Sequence, residues 1–162
     1  MCDVRLGFKT LTKMETTMLI VTSTPDIVGE AAHILAAGDR AEFNKMIAGR
    51  DVAVTLLGSL DETSRAIIHD GKILAVGGSK DCLWFVTTVH VDNLTPAEKL
   101  DMLALLKGHL EEVRKRLDPA QMTNVVWTGN FKHIRLLKHL GAQFAEYETL
   151  SPAGFPFRQF WL

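Results

Sequence analysis

VVWTGNFKHIRLLKHLGAQF, residues 125–144, decides how the rest of the sequence is interpreted, because it joins two apolar patterns of different period. VVWTG has the composition of a β-strand, whereas FKHIRLLKHL repeats apolar residues at helical spacing. Only Gly129 and Asn130 separate the two patterns, and Gly141 follows the second at the position of a left-handed cap. The segment therefore predicts a strand that leads directly into a short basic helix over 131–140.

A second helix start is marked at LTPAEKL, residues 94–100, where three capping signals coincide. Thr95 is the predicted N-cap, Pro96 suits the first helical position, and Glu98 stands where it closes a capping box. Immediately before it, CLWFVTTVHV at 82–91 is apolar enough for a central strand. A strand, a long helix and a strand in succession predict a right-handed crossover between two parallel strands.

The N-terminal half predicts one strand and two helices. MLIVTS at 18–23 reads as a strand, and a helix is expected over 25–36, started by a proline and closed by Gly38. Asp39 is then the predicted N-cap of a second short helix with an apolar face.

Strands account for most of what remains. Asp70-Gly71 lies between the apolar runs RAIIH and KILAVGG, which is the strongest short-range signal of a β-hairpin. AQFAEYETL and FRQFWL predict two final strands around the turn SPAGFP. We expect residues 1–17 to be an N-terminal extension and 18–162 to form a single domain of the α/β (α+β) class.

Composition excludes several classes of protein. The chain has 162 residues, a formal net charge of −1 and no clustering of basic residues, so the electrostatic footprint of a general nucleic-acid binder is missing. Cys2 and Cys82 have neither the spacing of a metal site nor the number of a disulfide framework, and free intracellular thiols are expected. No apolar run is long enough for a membrane span, so no membrane partner is expected.

The order of the motifs resembles that of the GCN5-related N-acetyltransferases, the GNAT family. The resemblance begins at AAGDRAEF and is sharpest at NFKHIRLLKHLGAQF. More narrowly, GDRAEFNKMIAG, LWFVTT, NVVWTGN and HIRLLKHLGAQF resemble small GNAT-like proteins of tailed phages, some of them labelled internal virion proteins. The resemblance implies a mixed central sheet of about six or seven strands flanked by about four helices.

The resemblance also implies a cofactor. In the family two neighbouring strands splay apart, and their free main-chain groups pair with the pantetheine arm of acetyl-CoA or another acyl-CoA. The implied cofactor-binding residues lie on the central strand, at the start of the long helix and on the short basic helix: Phe85, Val86, Thr87, Thr88, Thr95, Ala97, Glu98, Lys99, Asn130 and Leu137.

Two of these positions have an alternative explanation. The family's phosphate loop is basic and glycine-rich, but this chain has VDNLTPAEKL, in which Pro96 lacks an N–H and Glu98 is an anion. A plain capped helix is the alternative there. Asn130 is expected either to bond the pantetheine amides or to cap the helix at 131–140.

Acyl transfer to an amine also needs a proton donor and a base. The family's acid tyrosine would fall at Leu137, which cannot donate a proton, whereas His133 lies one helical turn earlier on the same face and is the candidate acid. The alternative is that the His133 imidazole has no catalytic role and only forms a hydrogen bond with the backbone. The candidate bases are His90, Asp92 and Glu42, each with an ordinary surface position as its alternative. His133 and His139 point to different sides of the helix, so no metal site is expected from them.

These expectations lead to two functional hypotheses. The first is a phage-encoded, acyl-CoA-dependent N-acyltransferase acting in the host cytoplasm on an amine of a host protein or small molecule. The second is a catalytically silent GNAT-like phage protein that serves as a virion component or binds a host protein. The acceptor and the oligomeric state, for which a dimer is one option, are left open by the sequence.

Overall fold

The structure, a computed structural model, describes residues 17–162. Eight strands and five α-helices occupy this part of the chain. In chain order they are β1 Leu19–Thr22, α1 Pro25–His33, α2 Ala37–Met46, α3 Val52–Gly58, β2 Arg65–His69, β3 Lys72–Gly78, β4 Trp84–Thr87, α4 Pro96–Arg114, β5 Thr123–Trp127, α5 Phe131–His139, β6 Gln143–Phe144, β7 Thr149–Leu150 and β8 Pro156–Trp161.

The strands form two antiparallel sheets. The first has the order β1-β2-β3-β4, and the second has the order β5-β8-β6, with β7 also pairing to β8. The predicted α/β class is confirmed, but the expected central sheet is divided between β4 and β5. β4 is thus an edge strand of its own sheet. The helices hold the halves together: α1 and α3 cover one face of the first sheet, α4 covers the other, and α5 packs on the second sheet.

The two strongest local signals of the sequence are confirmed. Asp70 and Gly71 have positive φ angles of 51° and 69°, as the hairpin between β2 and β3 requires. At the start of α4, the Thr95 hydroxyl accepts from the Glu98 N–H at 3.2 Å, and the Glu98 carboxylate accepts from the Thr95 N–H at 2.8 Å. The capping box and the leading proline therefore fix the position of α4.

The predictions around α1 need correction. The helix ends at His33 rather than at residue 36, because residues 34–36 leave it to pair with the outer edge of β4. The Ala36 N–H donates to the Thr87 carbonyl at 2.9 Å, and the Val89 N–H donates to the Ile34 carbonyl at 2.8 Å.

Gly38 does not close a helix, and Asp39 is not an N-cap. Both lie in the first turn of α2, whose N-cap position is Ala36 and has no side-chain capping bond. The side chain of Asp39 is instead buried, with 4% of its surface exposed.

The predicted strand over 82–91 is shorter than expected. β4 ends at Thr87, and the chain then makes a 3-10 turn over Val89–Asn93. The turn starts at Thr88, whose hydroxyl accepts from the His90 N–H at 3.3 Å. Of the two cysteines, Cys82 is free and exposed, and Cys2 lies outside the described residues. Within residues 17–162, no helix combines the length and the apolar character that crossing a membrane would require.

Candidate functional site

The two sheets meet where β4 and β5 begin. The Leu83 N–H donates to the Thr123 carbonyl at 3.2 Å, and no other main-chain bond joins these strands within residues 17–162. The Asn124 side chain reinforces the junction, since its amide donates to the Leu83 carbonyl and its oxygen accepts from the Val125 N–H at 2.7 Å. One asparagine thus satisfies main-chain groups on both strands at the narrow end of the junction.

Beyond this junction the strands diverge. Because pairing alternates along a strand, Phe85 and Thr87 of β4 turn their main-chain groups away from β3 and toward the gap, and Val125 and Trp127 of β5 do the same. The gap opens into a cavity of about 400 Å³ with mostly apolar walls, which Phe85, Val125 and His133 help to line. The division of the sheet gives the chain the splayed strands that the resemblance implied.

Side chains from α2 and α5 fill the wide end of this gap. We call Asp39, Glu42, Asn130 and His133 the acid–histidine cluster. Asp39 and Glu42 are three residues apart in α2 and lie on one face of that helix. Asn130 immediately precedes α5, and His133 lies in its first turn. Both helices therefore point polar side chains at the ends of β4 and β5.

Asp39 is bonded on both of its oxygens. The Thr87 N–H and the Thr87 hydroxyl each donate to Oδ2 at 2.7 Å. Asn130 donates to Oδ1 at 2.8 Å, and Nδ1 of His133 lies 3.2 Å from the same oxygen. The Asp39 carboxylate thus accepts from the N–H of Thr87, the last residue of β4, and also contacts Asn130 and His133 at the start of α5.

Glu42 occupies the matching position on β5. The Trp127 N–H is close enough to its carboxylate to favour the ionised form. Asn130 donates to Oε2 of Glu42 at 2.8 Å, so a single amide group bridges the two carboxylates. Asn130 has only 2% of its surface exposed and makes no side-chain capping bond to α5, so the capping explanation of this residue is wrong.

The pKa values of the cluster reflect its burial and its charges. Burial raises the pKa of Asp39, but the hydrogen bond and charge of His133, with the donors Asn130 and Thr87, outweigh burial and leave that pKa lowered. Burial dominates at Glu42, whose pKa is raised. Burial lowers the pKa of His133, but Asp39 and the charge of Glu42 leave it raised. Asp39 and His133 therefore favour each other's charged forms across the 3.2 Å between Oδ1 and Nδ1.

The other candidate bases lie away from the cluster. His90 and Asp92 are both in the 3-10 turn after β4 rather than at the end of a strand. Asp92 accepts from the ammonium group of Lys132 at 2.7 Å, with both side chains largely exposed. The structure therefore brings Glu42 and His133 together and leaves His90 and Asp92 out.

Three predicted cofactor contacts on the strand and helix point elsewhere. The N–H of Val86 faces β3, and Thr88 is fully buried with its hydroxyl donating to the Ile73 carbonyl at 2.6 Å. Leu137 is buried against Val126 and Phe160. Their surroundings are those of core residues. Phe85 differs, because its ring meets that of His133 edge-on, with the centroids 6.0 Å apart.

At the start of α4 the predicted residues serve the helix itself. Thr95 and Glu98 satisfy each other in the capping box, and the Lys99 N–H donates to the Thr95 carbonyl at 2.9 Å. The Glu98 carboxylate also lies 3.3 Å from Nε2 of His69. Ala97 and Lys99 are exposed.

Asp39 is the residue that sequence reasoning placed in the wrong role. Its signal was present, because Asp39 and Glu42 in GDRAEF have the spacing that puts two carboxylates on one helical face. The expectation that Gly38 ends a helix hid this spacing.

Two solved structures to which the fold of this chain is similar are acetyltransferases. The ribosomal-protein-S18-alanine N-acetyltransferase from Escherichia coli matches with a TM-score of 0.56 and 19% identity, over 90% of this chain and 93% of that chain. The structure of AAC(6')-Ib in complex with ribostamycin and coenzyme A matches with a TM-score of 0.54 and 13% identity, over 90% and 93%. At such identities the likeness concerns the fold, which is that of the GNAT acetyltransferases.

Sequence comparison identifies a narrower group. The probable scaffold protein gp13 of Escherichia phage T7 is 38% identical over 80 residues, which are 49% of this chain and 56% of the T7 protein. The match thus spans about half the length of that relative. A family model described as "Bacteriophage T7, probable scaffold protein Gp13" matches residues 63–149, more than half of the sequence. This chain belongs to the family of the T7 probable scaffold protein Gp13.

Proposed function

We propose that this protein is a structural component in the assembly of a tailed-phage particle, a scaffold or virion protein that has the GNAT fold but does not bind acyl-CoA between β4 and β5. One observation carries the proposal. The main-chain groups that a pantetheine arm would need at the wide end of the gap are already bonded within the protein.

A pantetheine arm pairs with a strand edge only if that edge has free groups. Here the Thr87 N–H is held by Asp39 at 2.7 Å, and the Thr87 carbonyl accepts from Ala36 at 2.9 Å. On the facing strand the Trp127 N–H lies near the Glu42 carboxylate, and the Trp127 carbonyl accepts from the Asn130 N–H at 2.9 Å. Displacing these partners would leave two carboxylates buried without their donors, which costs several kcal/mol per ion. The gap is therefore a poor site for the arm.

The start of α4 is equally unsuited to the pyrophosphate of CoA. A phosphate site at a helix start uses free N–H groups and the positive end of the helix dipole. Pro96 has no N–H, and the Glu98 N–H is used by the Thr95 hydroxyl. The Glu98 carboxylate adds a negative charge at the same place, which opposes a second anion.

The chemical groups for acyl transfer are also missing or occupied. Leu137 stands where the family's tyrosine would lie and is buried among apolar side chains. Nδ1 of His133 is engaged by Asp39 at 3.2 Å. The residues present do not fit the cofactor, and the family name of the T7 relative supports the assembly role instead.

Calorimetry tests the proposal that the protein does not bind acyl-CoA. Acetyl-CoA and CoA titrated at low ionic strength into the whole chain are expected to give heats no larger than dilution. Saturable binding of either compound with a micromolar Kd would overturn it, because the wide end of the gap would then have to open. A Lys99→Glu variant sharpens the test, since Lys99 is exposed in the first turn of α4, where the phosphates of CoA would lie, and its heats should equal those of the unaltered chain.

Genetic complementation tests the proposed role in particle assembly. Deleting the gene from its phage should lower the yield of infectious particles while the other structural proteins continue to be made. Supplying the protein in trans should restore the yield, and Lys99→Glu should restore it equally well. Normal particle yield without the gene would contradict an assembly role.

A second candidate is the acyl-CoA-dependent N-acyltransferase with an amine of a host protein or small molecule as acceptor. One feature favours it: a cavity of about 400 Å³, with Phe85 and His133 in its wall, lies at the gap between β4 and β5 and has room for a small acyl group. The calorimetric test separates the two candidates. If binding is seen, His133→Ala is expected to lower thioester turnover, and an unchanged rate excludes His133 as the acid.

A further inference from the structure

Three side chains of the acid–histidine cluster are of the types that bind metal ions in proteins. Asp39, Glu42 and His133 each offer one ligand atom, and these atoms lie within 4.8 Å of one another. Within residues 17–162 this is the only group of three His, Cys, Asp or Glu side chains so arranged. His139, for which no shared metal site with His133 was expected, is not part of this group.

The spacing of the atoms suits a small cation. Around a tetrahedral zinc ion with bonds of about 2.0–2.1 Å, neighbouring ligand atoms stand about 3.3 Å apart. Nδ1 of His133 and Oδ1 of Asp39 are already 3.2 Å apart. Asn130 reaches Oδ1 of Asp39 and Oε2 of Glu42 at 2.8 Å each, so both carboxylates are directed at one point. Nδ2 of Asn130 holds that point, so the Asn130 amide must move for an ion to bind there.

The surrounding contacts hold the ligands in place. Both donors of Thr87 fix Oδ2 of Asp39, which leaves Oδ1 directed at the centre of the cluster. Oε2 of Glu42 is held by the Asn130 amide at 2.8 Å. Hydrogen bonds of this kind orient the ligands in known metal sites and strengthen them.

The charge of the cluster is unbalanced. Two carboxylates face one imidazole, and among the described residues neither Asp39 nor Glu42 has a Lys or Arg within ion-pair distance. With both carboxylates ionised, even a protonated imidazole leaves one excess negative charge, and burial together with the charge of Asp39 accordingly raises the pKa of Glu42. A divalent cation with a neutral imidazole would remove the excess.

We propose that the acid–histidine cluster binds one divalent transition-metal ion, Zn²⁺ in the first place, through Asp39, Glu42 and Nδ1 of His133. Asn130 supplies its amide oxygen as a fourth ligand when the amide turns over. An imidazole nitrogen among oxygen ligands favours zinc over Mg²⁺ or Ca²⁺, which prefer oxygen alone. The ion would fasten α2 to α5 at the point where β4 and β5 diverge, so its role is structural and independent of the assembly function.

The test uses the whole chain after treatment with a chelator. Calorimetric titration with ZnCl2 is expected to show one equivalent bound with a micromolar or tighter Kd, accompanied by a higher Tm. MgCl2 should give neither effect. Glu42→Gln keeps the shape of the side chain and should weaken zinc binding at least about tenfold. His133→Ala should do the same.

His139→Ala is the matched control, because His139 is exposed on the same helix. It should bind zinc as tightly as the unaltered chain. Absence of saturable binding, equal binding by Glu42→Gln and the unaltered chain, or loss of binding in His139→Ala would each overturn the proposal. If His133→Ala fails to fold by circular dichroism, the visible absorption of the Co²⁺ form of the unaltered chain decides whether a nitrogen and oxygen site exists.

Discussion

Asn130 has the most demanding position of any single residue in the cleft. Its amide donates to the buried Asp39 carboxylate and to the half-buried Glu42 carboxylate, at 2.8 Å each. Removing it would leave Asp39 and Glu42 facing each other across an empty space. Like charges that are buried and lose a donor are destabilising by several kcal/mol.

Asn130→Ala is therefore expected to lower the free energy of unfolding by about 2–4 kcal/mol. Urea denaturation followed by circular dichroism measures it. The control is Asn44→Ala, because the Asn44 oxygen accepts only from the Gly49 N–H, at 3.2 Å in an exposed place. A loss at Asn130 no larger than the loss at Asn44 would show that the bridge contributes little.

The Asn130 side chain packs directly against Gly38. A Cβ atom added at Gly38 would overlap Oδ1 of Asn130, whereas one added at Gly108 in α4 would meet nothing within 4 Å. Both glycines are inside helices, where alanine is favoured by about 1 kcal/mol. Gly108→Ala should raise the Tm and Gly38→Ala should lower it. If Tm rose equally in the two variants, the Asn130 side chain would be able to move away from residue 38 with little loss of stability.

At the residue scale, three residues singled out from the sequence lie together. Glu42, Asn130 and His133 were candidates for base, cofactor contact and acid through the resemblance to the GNAT family, and the structure places all three in one cluster, while those roles stay predictions. Asp39 was not a candidate. Its role depends on Thr87 and Asn130, which lie 48 and 91 positions away in the chain, and no local pattern contains such contacts.

Among the helices and strands, α4 is the one whose start is most clearly determined by neighbouring residues in the sequence. The Thr95 N–H, and after it His69, lowers the pKa of Glu98 from its ordinary value of 4.5. A carboxylate with a lowered pKa in the folded protein contributes stability that is present above its unfolded pKa. That contribution is lost as the pH falls through the folded pKa.

Glu98→Gln should therefore change how stability depends on pH. Glutamine keeps an oxygen for the Thr95 N–H but does not titrate. The unaltered chain should be more stable than Glu98→Gln above about pH 5.5, and the difference should shrink as the solution is acidified. Urea denaturation at a series of pH values measures it. Asp101→Asn, exposed on the same helix, is the control. A difference that grows on acidification would show that the capping carboxylate does not act in this way.

Element boundaries were predicted where their causes are local. The hairpin at Asp70-Gly71 and the start of α4 follow from a few neighbouring residues, and both are confirmed. The end of α1 is different. Residues 34–36 keep a helical composition but pair with the edge of β4, so a tertiary contact ends the helix.

At the scale of the whole molecule, the division of the sheet was the least predictable feature from composition and periodicity. Apolar runs at 82–91 and 125–129 predict strands, but they do not tell whether those strands are bonded along their length. Two polar contacts decide the matter: Asn124 at the narrow end and the acid–histidine cluster at the wide end. The resemblance to the GNAT family predicted a gap between two strands. The carboxylates that fill this gap could be identified only from the three-dimensional structure.

Asn124 gives the last prediction, because it joins the two sheets. It donates to the Leu83 carbonyl on the first and accepts from the Val125 N–H on the second. Asn124→Ala leaves both groups without that partner and should lower the free energy of unfolding by about 1–3 kcal/mol. Asn124→Asp keeps the acceptor for Val125 but sets a carboxylate against the Leu83 carbonyl, so it should cost at least as much. Gln143→Ala, exposed on the far strand β6, is the control in urea denaturation. If all three variants unfold at the same urea concentration as the unaltered chain, the helices alone hold the sheets together.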